Sequence, residues 1–401
     1  MKGTWWTLAV TLAIQALVSM VVITVPVIAP ALAQGLGVSP TLVGAYIGVV
    51  YAAAMVASLS GGAAVARFGA IRVSQACVVL CAAGLALCTL PSLVAAILGA
   101  VLIGLGYGQV TPASSHLLAK NTPAHRMSLV FSLKQTGVPL GGVLAGALVP
   151  MLLGYGLAVS LACVAVANLL AGLLAQPLRA ELDADRQPQA PLVVSNLAQP
   201  LRLVFSQPAL RRLACCSFVY SIAQLSLTTY LVTFLHGTLG YSLVAAGLAL
   251  SVSQFAGVGG RIAWGYVADR WLGAPRMLLA LTCLMAVSAL ATAFLSQAMH
   301  PMLVLGILVV YGMSAIGWNG VYLAEVARQA PAGQAGVATG GCLAVTFLGV
   351  VVGPPVFGLV AGLTGSYRSG FAAVAVALVV CIAAILRSSF HARTQLSLRS
   401  R

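Results

Sequence analysis

The sequence predicts an all-α membrane protein: twelve transmembrane helices arranged as two six-helix, pseudo-symmetric bundles. Three observations predict it. First, 61% of the 401 residues are hydrophobic and only 6% are charged, with a mean hydropathy of +1.06, whereas soluble domains carry roughly 25% charged residues. Second, apolar windows of about 20 residues, the length that crosses a bilayer, recur twelve times along the chain. Third, the two halves repeat: Gly37, Ser39, Gly44, Gly62 and Arg67 match Gly240, Ser242, Gly247, Gly265 and Arg270 at one offset of 203 positions. A half-length repeat in so apolar a chain implies two related bundles.

Span one, 7–29, follows Lys2 and runs into Pro26 and Pro30. It is longer than the apolar core of a signal peptide, so Ala31-Leu32-Ala33 is read as its exit and not as a cleavage site. Span two, 41–62, opens behind Gly37-Val38-Ser39 and ends at the first copy of a loop motif; spans three and four cover 73–91 and 94–117. Span five, 128–152, carries Gly137-Val-Pro139-Leu-Gly-Gly142-Val-Leu-Ala-Gly146, and span six, 155–176, closes the first bundle, 1–176. The connection 177–209, from Pro177 to Pro208, holds Glu181, Asp183 and Asp185, three of the five acids of the chain. It reads as a cytoplasmic linker with a short surface helix near Leu197–Phe205. The second bundle, 210–401, contains spans at 211–235, 242–264, 275–296, 301–324, 335–362 and 369–387. Its repeat signals continue: Ala119-Lys120-Asn-Thr-Pro123 is answered by Ala327-Arg328-Gln-Ala-Pro331. The span-five glycines are answered by Gly353-Pro-Pro355-Val-Phe-Gly358-Leu-Val-Ala-Gly362, so the offset grows from 203 to 208 to 216. Glycines at these spacings let helix backbones approach closely in lipid.

The net charge of +15 is topological. With a cytoplasmic N-terminus, Lys2, Arg67, Arg72, Lys120, Arg126, the five arginines from Arg179 to Arg212, Arg270, Arg276, Arg328 and the four from Arg387 to Arg401 lie on the cytoplasmic side. Arg368 alone lies outside, a ratio of 17 to 1. This is the positive-inside bias. Both termini are therefore expected in the cytoplasm, the membrane is expected to be a bacterial inner membrane, and no nucleic-acid partner is needed to explain the basicity. Anionic lipid is the expected surface partner. The nine cysteines fall in spans and read as small packing residues. Catalysis is not expected: the five histidines (His116, His125, His236, His300, His391) are scattered, and no His-Glu-x-x-His pair, nucleophile elbow or phosphate-binding glycine-lysine loop occurs. No metal or other cofactor is expected.

Gly265-Tyr-Val-Ala-Asp269-Arg270-Trp-Leu-Gly273-Ala-Pro-Arg276, between spans eight and nine, resembles the loop signature of the major facilitator superfamily, and Gly62 to Arg72 is its weaker twin. The resemblance covers essentially the whole chain and implies a secondary transporter. In the first copy Ala66 stands where the family usually has aspartate. In the family that acid helps latch the cytoplasmic side, so the resemblance puts the latch on Asp269. Arg67, Arg72, Arg270 and Arg276 complete the expected cytoplasmic gate, with Glu325 paired to a nearby arginine such as Arg328. His116, near a loop, reads as structural.

Two charges lie within spans, Lys134 in span five and Arg261 in span eight. A charge there costs about 2.5–3.5 kcal/mol on insertion scales, so each needs a reason. Both could snorkel to headgroups, or both could face a central cavity and bind an anion. An arginine with glycine at +4 in span eight is similar to the monocarboxylate-transporter branch, where the matching arginine holds the substrate carboxylate. That branch places an aspartate four residues earlier, where this chain has Gly257. Polar residues recur at helical spacing nearby: Ser217, Ser221, Gln224 and Thr228 in span seven, and Tyr311, Ser314, Trp318 and Tyr322 with Asn319 in span ten. Tyr107, Thr111 and Ser115 lie in span four, Gln15 and Ser19 in span one, and Gln254 in span eight. Such stripes line cavities or bind helices to one another. With no acid deep in a span, a proton-driven exporter of cations is disfavoured. The expected function is transport of a small organic anion, a carboxylate, by alternating access in a monomer. A co-transported proton or an exchanged anion would complete the cycle. The alternative is an efflux transporter of neutral or amphipathic compounds. A non-transporting sensor on the same scaffold would be expected to add a large soluble domain or long tail.

Overall fold

The computed structural model describes residues 2–122, 130, 133–190, 198–331 and 334–399. Pro123, His125, Arg126 and 191–197 of the linker lie outside the described residues. Among the described residues, twelve helices are long and apolar enough to cross a membrane. Lipid offers no hydrogen bonds, so such runs form helices, which satisfy their own backbone groups. In chain order these are α1 (Lys2–Val27), α2 (Val43–Phe68), α3 (Ala70–Leu87), α4 (Leu93–Asn121), α5 (Gly137–Leu152), α6 (Leu157–Leu174), α7 (Pro208–Gly237), α8 (Leu243–Val267) and α9 (Ala274–Ala293). α10 (Pro301–Gly317, resuming as Asn319–Gln329 after Trp318), α11 (Ala335–Thr364) and α12 (Tyr367–Arg399) complete the set. The spanning part of the fifth begins before α5 itself, at Leu133. The linker's surface helix runs over Ala198–Ser206, within a residue of the expected position.

The repeat is visible in the backbone. Gly37 and Gly240, at the expected offset, take φ values of 65° and 71°. Gly69 and Gly273 take 91° and 73° and stand as the N-caps of α3 and α9; a side chain there would be strained, so glycine is the residue that turns the chain. This second pair is 204 positions apart, whereas Arg67 and Arg270 are 203 apart. The extra residue is absorbed in a π-helical turn, Ala268–Leu272, at the end of α8, the usual way a helix takes one insertion.

The fifth and eleventh helices require a correction of register. A Cβ added at Gly137 would meet Gln15, and one at Gly141 would meet Ala16, Ser19 and Met20, so these two glycines seat α5 on α1. On α11, Gly349 stands against Phe218 and Ser221, and Gly353 against Ile222, all on α7. Gly141 and Gly349 make the matching contact, each against a backbone carbonyl (Ala16, Phe218) and the serine three residues on (Ser19, Ser221), so the offset is 208 and not 216. Glycines recurring at every turn make the sequence match itself in several registers, and only contacts with the neighbouring helix choose among them.

Span ten runs as one span, Pro301–Gln329, but its helix has one irregular turn. The turn falls at Trp318, between Gly317 and Gly320, where α8 comes close: a Cβ at Gly317 would press on Trp264 and Gly260. The chain forms two compact units, one of Met1–Asn196 with Leu227–Phe255, the other of Leu197–Ser226 with Ala256–Arg401. α7 and α8 each contribute to both.

Candidate functional site

In the first unit a buried cation heads a hydrogen-bonded chain of polar side chains. Lys134 is 1% exposed, so its ammonium does not snorkel to the surface. It donates to Thr111 Oγ1 at 3.4 Å. Thr111 Oγ1 donates to Gln15 Oε1 at 3.4 Å, and Gln15 Nε2 donates to Ser19 Oγ at 3.3 Å. Among the described residues no carboxylate lies within ion-pairing distance of Lys134. Thr111 is itself exposed, which leaves the ammonium one hydrogen bond from accessible space. Gly137 permits the chain by letting α5 close on Gln15, with an added Cβ at 3.0 Å. Tyr107, one turn before Thr111, packs edge-on against Tyr51 with centroids 5.6 Å apart. Gln254 is buried beside Gly142, where any larger side chain would strike its amide. Thr228 is buried and lies in the same unit.

In the second unit the polar stripes of α7 and α10 meet. Trp318 Nε1 donates to Gln224 Oε1 at 3.0 Å, and Tyr322 Oη donates to Ser217 Oγ at 3.0 Å. Thr346 Oγ1 donates to the same Ser217 Oγ at 2.8 Å, while Ser221 Oγ donates to the Thr346 carbonyl at 2.9 Å. Tyr220, Trp318 and Tyr322 form an edge-to-face cluster with centroids 5.3 and 5.1 Å apart. Most of these groups are fully buried and bonded to one another, the interhelical use that such residues also have. Tyr311 is buried with its hydroxyl unpartnered by a hydrogen bond, and Ser314 turns back onto the carbonyls of Val310 and Tyr311. Asn319 is partly exposed. Arg261 is half-buried and its Nε donates to the carbonyl of Ile316 at 3.2 Å, immediately before the irregular turn in α10. Gly257, one turn earlier on α8, packs directly on Ile316 and brings the arginine to that point.

The residues expected at a gate are mostly exposed. Asp269, Arg270 and Arg276 are exposed, and Asp269 has no ion-pair partner among the described residues. Glu325 is 3% exposed; it pairs with Arg328 and accepts from Gln329 Nε2 at 2.8 Å. Arg72 Nη1 donates to Gln75 Oε1 at 3.5 Å, and the Arg67 guanidinium lies 5.6 Å from the Phe68 ring centre.

The family model of the Major Facilitator Superfamily matches residues 10–341. The chain belongs to this superfamily. Two uncharacterized MFS-type transporters of Mycobacterium tuberculosis, from strains CDC 1551 / Oshkosh and ATCC 25618 / H37Rv, are 28% and 27% identical over 263 residues. In each case the match spans 64% of this chain and 56% of the relative. Among solved structures, a bacterial homologue of the human lysosomal transporter Spinster superposes with a TM-score of 0.78 at 15% identity, covering 97% of both chains. A nucleoside transporter superposes at 0.73 and 17% identity over 95% of this chain and 99% of its own. A peptide transporter does so at 0.77 and 16% identity over 97% and 94%. At these identities the structures establish the fold, and the chain spans little more than half the length of the curated relatives it matches.

Sequence reasoning missed what the linker acids do. In this MFS chain Asp183 is 4% exposed. Its Oδ1 accepts from the backbone N–H of Ile71 at 2.8 Å and its Oδ2 from that of Arg72 at 3.1 Å. A carboxylate from over a hundred residues away thus caps the N-terminus of α3, where orphan N–H groups and the helix dipole favour negative charge. Gln187 N also donates to the Ala66 carbonyl at 2.7 Å, so the linker docks on the loop copy that lacks its own aspartate. Asp185 accepts from His116 Nε2 at 2.9 Å and pairs with Lys120 at 3.2 Å. Partial desolvation pushes its carboxyl up, but the hydrogen bonds from His116 and Lys120 outweigh it and hold the group below the usual carboxylate range. The available signal was the pairing of Ala66 with a helix start that offers no Ser, Thr, Asp or Asn cap.

Proposed function

We propose that this protein is a secondary active transporter of a small organic anion, a carboxylate, working by alternating access, with both termini in the cytoplasm of a bacterial inner membrane. One comparison internal to the chain carries the reading. At the offset of 208, Lys134 corresponds to Cys342, and at the offset of 203, Arg261 corresponds to Ser58. Cys342 is fully buried as a small packing residue, and Ser58 donates to the Met55 carbonyl. The same scaffold, folded twice, needs no cation at either place. A lysine and an arginine kept there at a cost of several kcal/mol point to a ligand that carries the opposite charge.

The chemistry is straightforward to assign. A guanidinium presents a planar fork suited to a carboxylate, and Arg261 is oriented for that role by its Nε bond to Ile316. Lys134 supplies a point charge, positioned by Thr111 and Gln15. Glu325 is engaged by Arg328 and Gln329, so we assign charge compensation to the substrate, through a co-transported proton or a second, exchanged anion. The test is counterflow of labelled mono- and dicarboxylates in proteoliposomes. Wild type should accumulate label, Lys134→Met and Arg261→Gln should fall at least tenfold, and dependence on an imposed pH gradient separates proton coupling from exchange. Counterflow unchanged in both variants would sink the reading.

A further inference from the structure

The second unit carries a cavity of about 550 Å³ where α7 and α9 begin and α10 and α12 finish their apolar runs. Three helix ends meet there and the apolar run of α12 stops at Arg387, which marks the depth of a membrane interface. The lining divides by chemistry. Arg211 and Arg212, from the first turn of α7, make its cationic side; Val219, Leu278, Val380 and Ile385 belong to its apolar wall. Both arginines are exposed and neither has an acidic partner among the described residues. Glu325 also borders the cavity, but its carboxylate is already engaged by Arg328 and Gln329. From Arg211 to Val219 is eight residues of helix, about 12 Å at 1.5 Å per residue, so cations and apolar wall are separated along the membrane normal. Val380, on α12, is 63% exposed, which opens the wall sideways.

We propose that this cavity binds an anionic phospholipid, its phosphate held by Arg211 and Arg212 and one acyl chain lying against Val219, Val380 and Ile385. Guanidinium groups match phosphate oxygens in charge and geometry, and basic pockets between transmembrane helices at headgroup level bind anionic headgroups. A zwitterionic lipid would bring its own cation to the two arginines and lose that advantage. None of these residues belongs to the anion-substrate assignment, so the two proposals stand or fall separately.

The test is native mass spectrometry of the full chain in neutral detergent, titrated with phosphatidylglycerol, phosphatidylcholine or inorganic phosphate. Phosphatidylglycerol should be retained at least tenfold more tightly than phosphatidylcholine. The double variant Arg211→Gln/Arg212→Gln should reduce it to the phosphatidylcholine level without changing the lipid-free Tm, because both side chains are exposed. Val380→Trp, which fills the wall and keeps both cations, should also release the lipid. Equal retention of the two lipids, or retention unaffected by the double variant, overturns the proposal. Displacement of phosphatidylglycerol by millimolar phosphate also overturns it and reassigns the arginines to a free phosphate.

Discussion

Replacing Lys134 by methionine should make the ligand-free protein more stable. A cation in a transmembrane segment costs about 2.5–3.5 kcal/mol. Against that, Lys134 makes one long hydrogen bond, 3.4 Å to Thr111, worth about 1 kcal/mol at most, and the exchange of an unbranched side chain for one of similar volume costs under about 1.5 kcal/mol. The balance is a gain of about 1–2 kcal/mol. For a unit of this size, about 2–4 °C per kcal/mol turns that into a rise in Tm of about 2–8 °C. The assay is a tryptophan-fluorescence melt of wild type and Lys134→Met in the same detergent, without ligand. A residue kept for function at the expense of stability behaves in this way. A Tm lowered by a similar amount would mean that Lys134 holds the α1–α4–α5 packing together, and the anion assignment would lose its strongest support.

Asp183→Ala should cost about 2–3 kcal/mol, since it removes a buried helix cap and leaves the N–H groups of Ile71 and Arg72 without an acceptor; Asp183→Asn, which keeps one oxygen, should cost less. Hydrogen exchange at the start of α3 reads this directly, and unchanged protection in Asp183→Ala would show that the linker does not cap the helix. Asp185 has its carboxyl held low in the folded state, so its stabilising contribution is present above the unfolded carboxylate pKa, about 3.9, and is lost as pH falls through the folded value. The Tm difference between wild type and Asp185→Asn should therefore be flat from neutral pH to about 5 and close at lower pH; a difference that widens on acidification contradicts the assignment. Gly349→Leu should destabilise by more than about 2 kcal/mol, because its side chain must displace Phe218 and Ser221 of α7; a normal melt would return the α11 register to the earlier alternative.

All twelve spans were legible because length and apolarity are sufficient to specify a membrane helix. Their pairing was legible where a motif is unique, as at Gly37/Gly240 and Arg67/Arg270. It failed at α5 and α11, where glycines recur every four residues and the pattern matches itself in several registers. The irregular turn at Trp318 has no proline to announce it; the glycines at 317 and 320 were the only local sign, and close packing by Trp264 completes it. Lys134 and Arg261 stood out as charges in apolar runs, yet the sequence held no information on whether they snorkel; burial of Lys134 answers that for one of them. The α7 and α10 stripes were found as stripes, but their hydrogen bonds to each other required coordinates. The linker's role was hidden because Asp183 acts on backbone groups 111 and 112 positions away, and no periodicity records such a contact.

Ligand-induced thermal stabilisation tests the anion assignment most directly. Purified wild type, Lys134→Met and Arg261→Gln would be melted in detergent with small mono- and dicarboxylates and, in parallel, with cationic and neutral amphipathic compounds. A ligand that binds the folded state stabilises it by about 2.7 kcal/mol at a hundredfold excess over its Kd, and so raises Tm. Stabilisation of wild type by a carboxylate, lost in both variants, is the expected result. Stabilisation by amphipathic compounds alone, equal in all three proteins, would contradict the anion site and favour the efflux alternative.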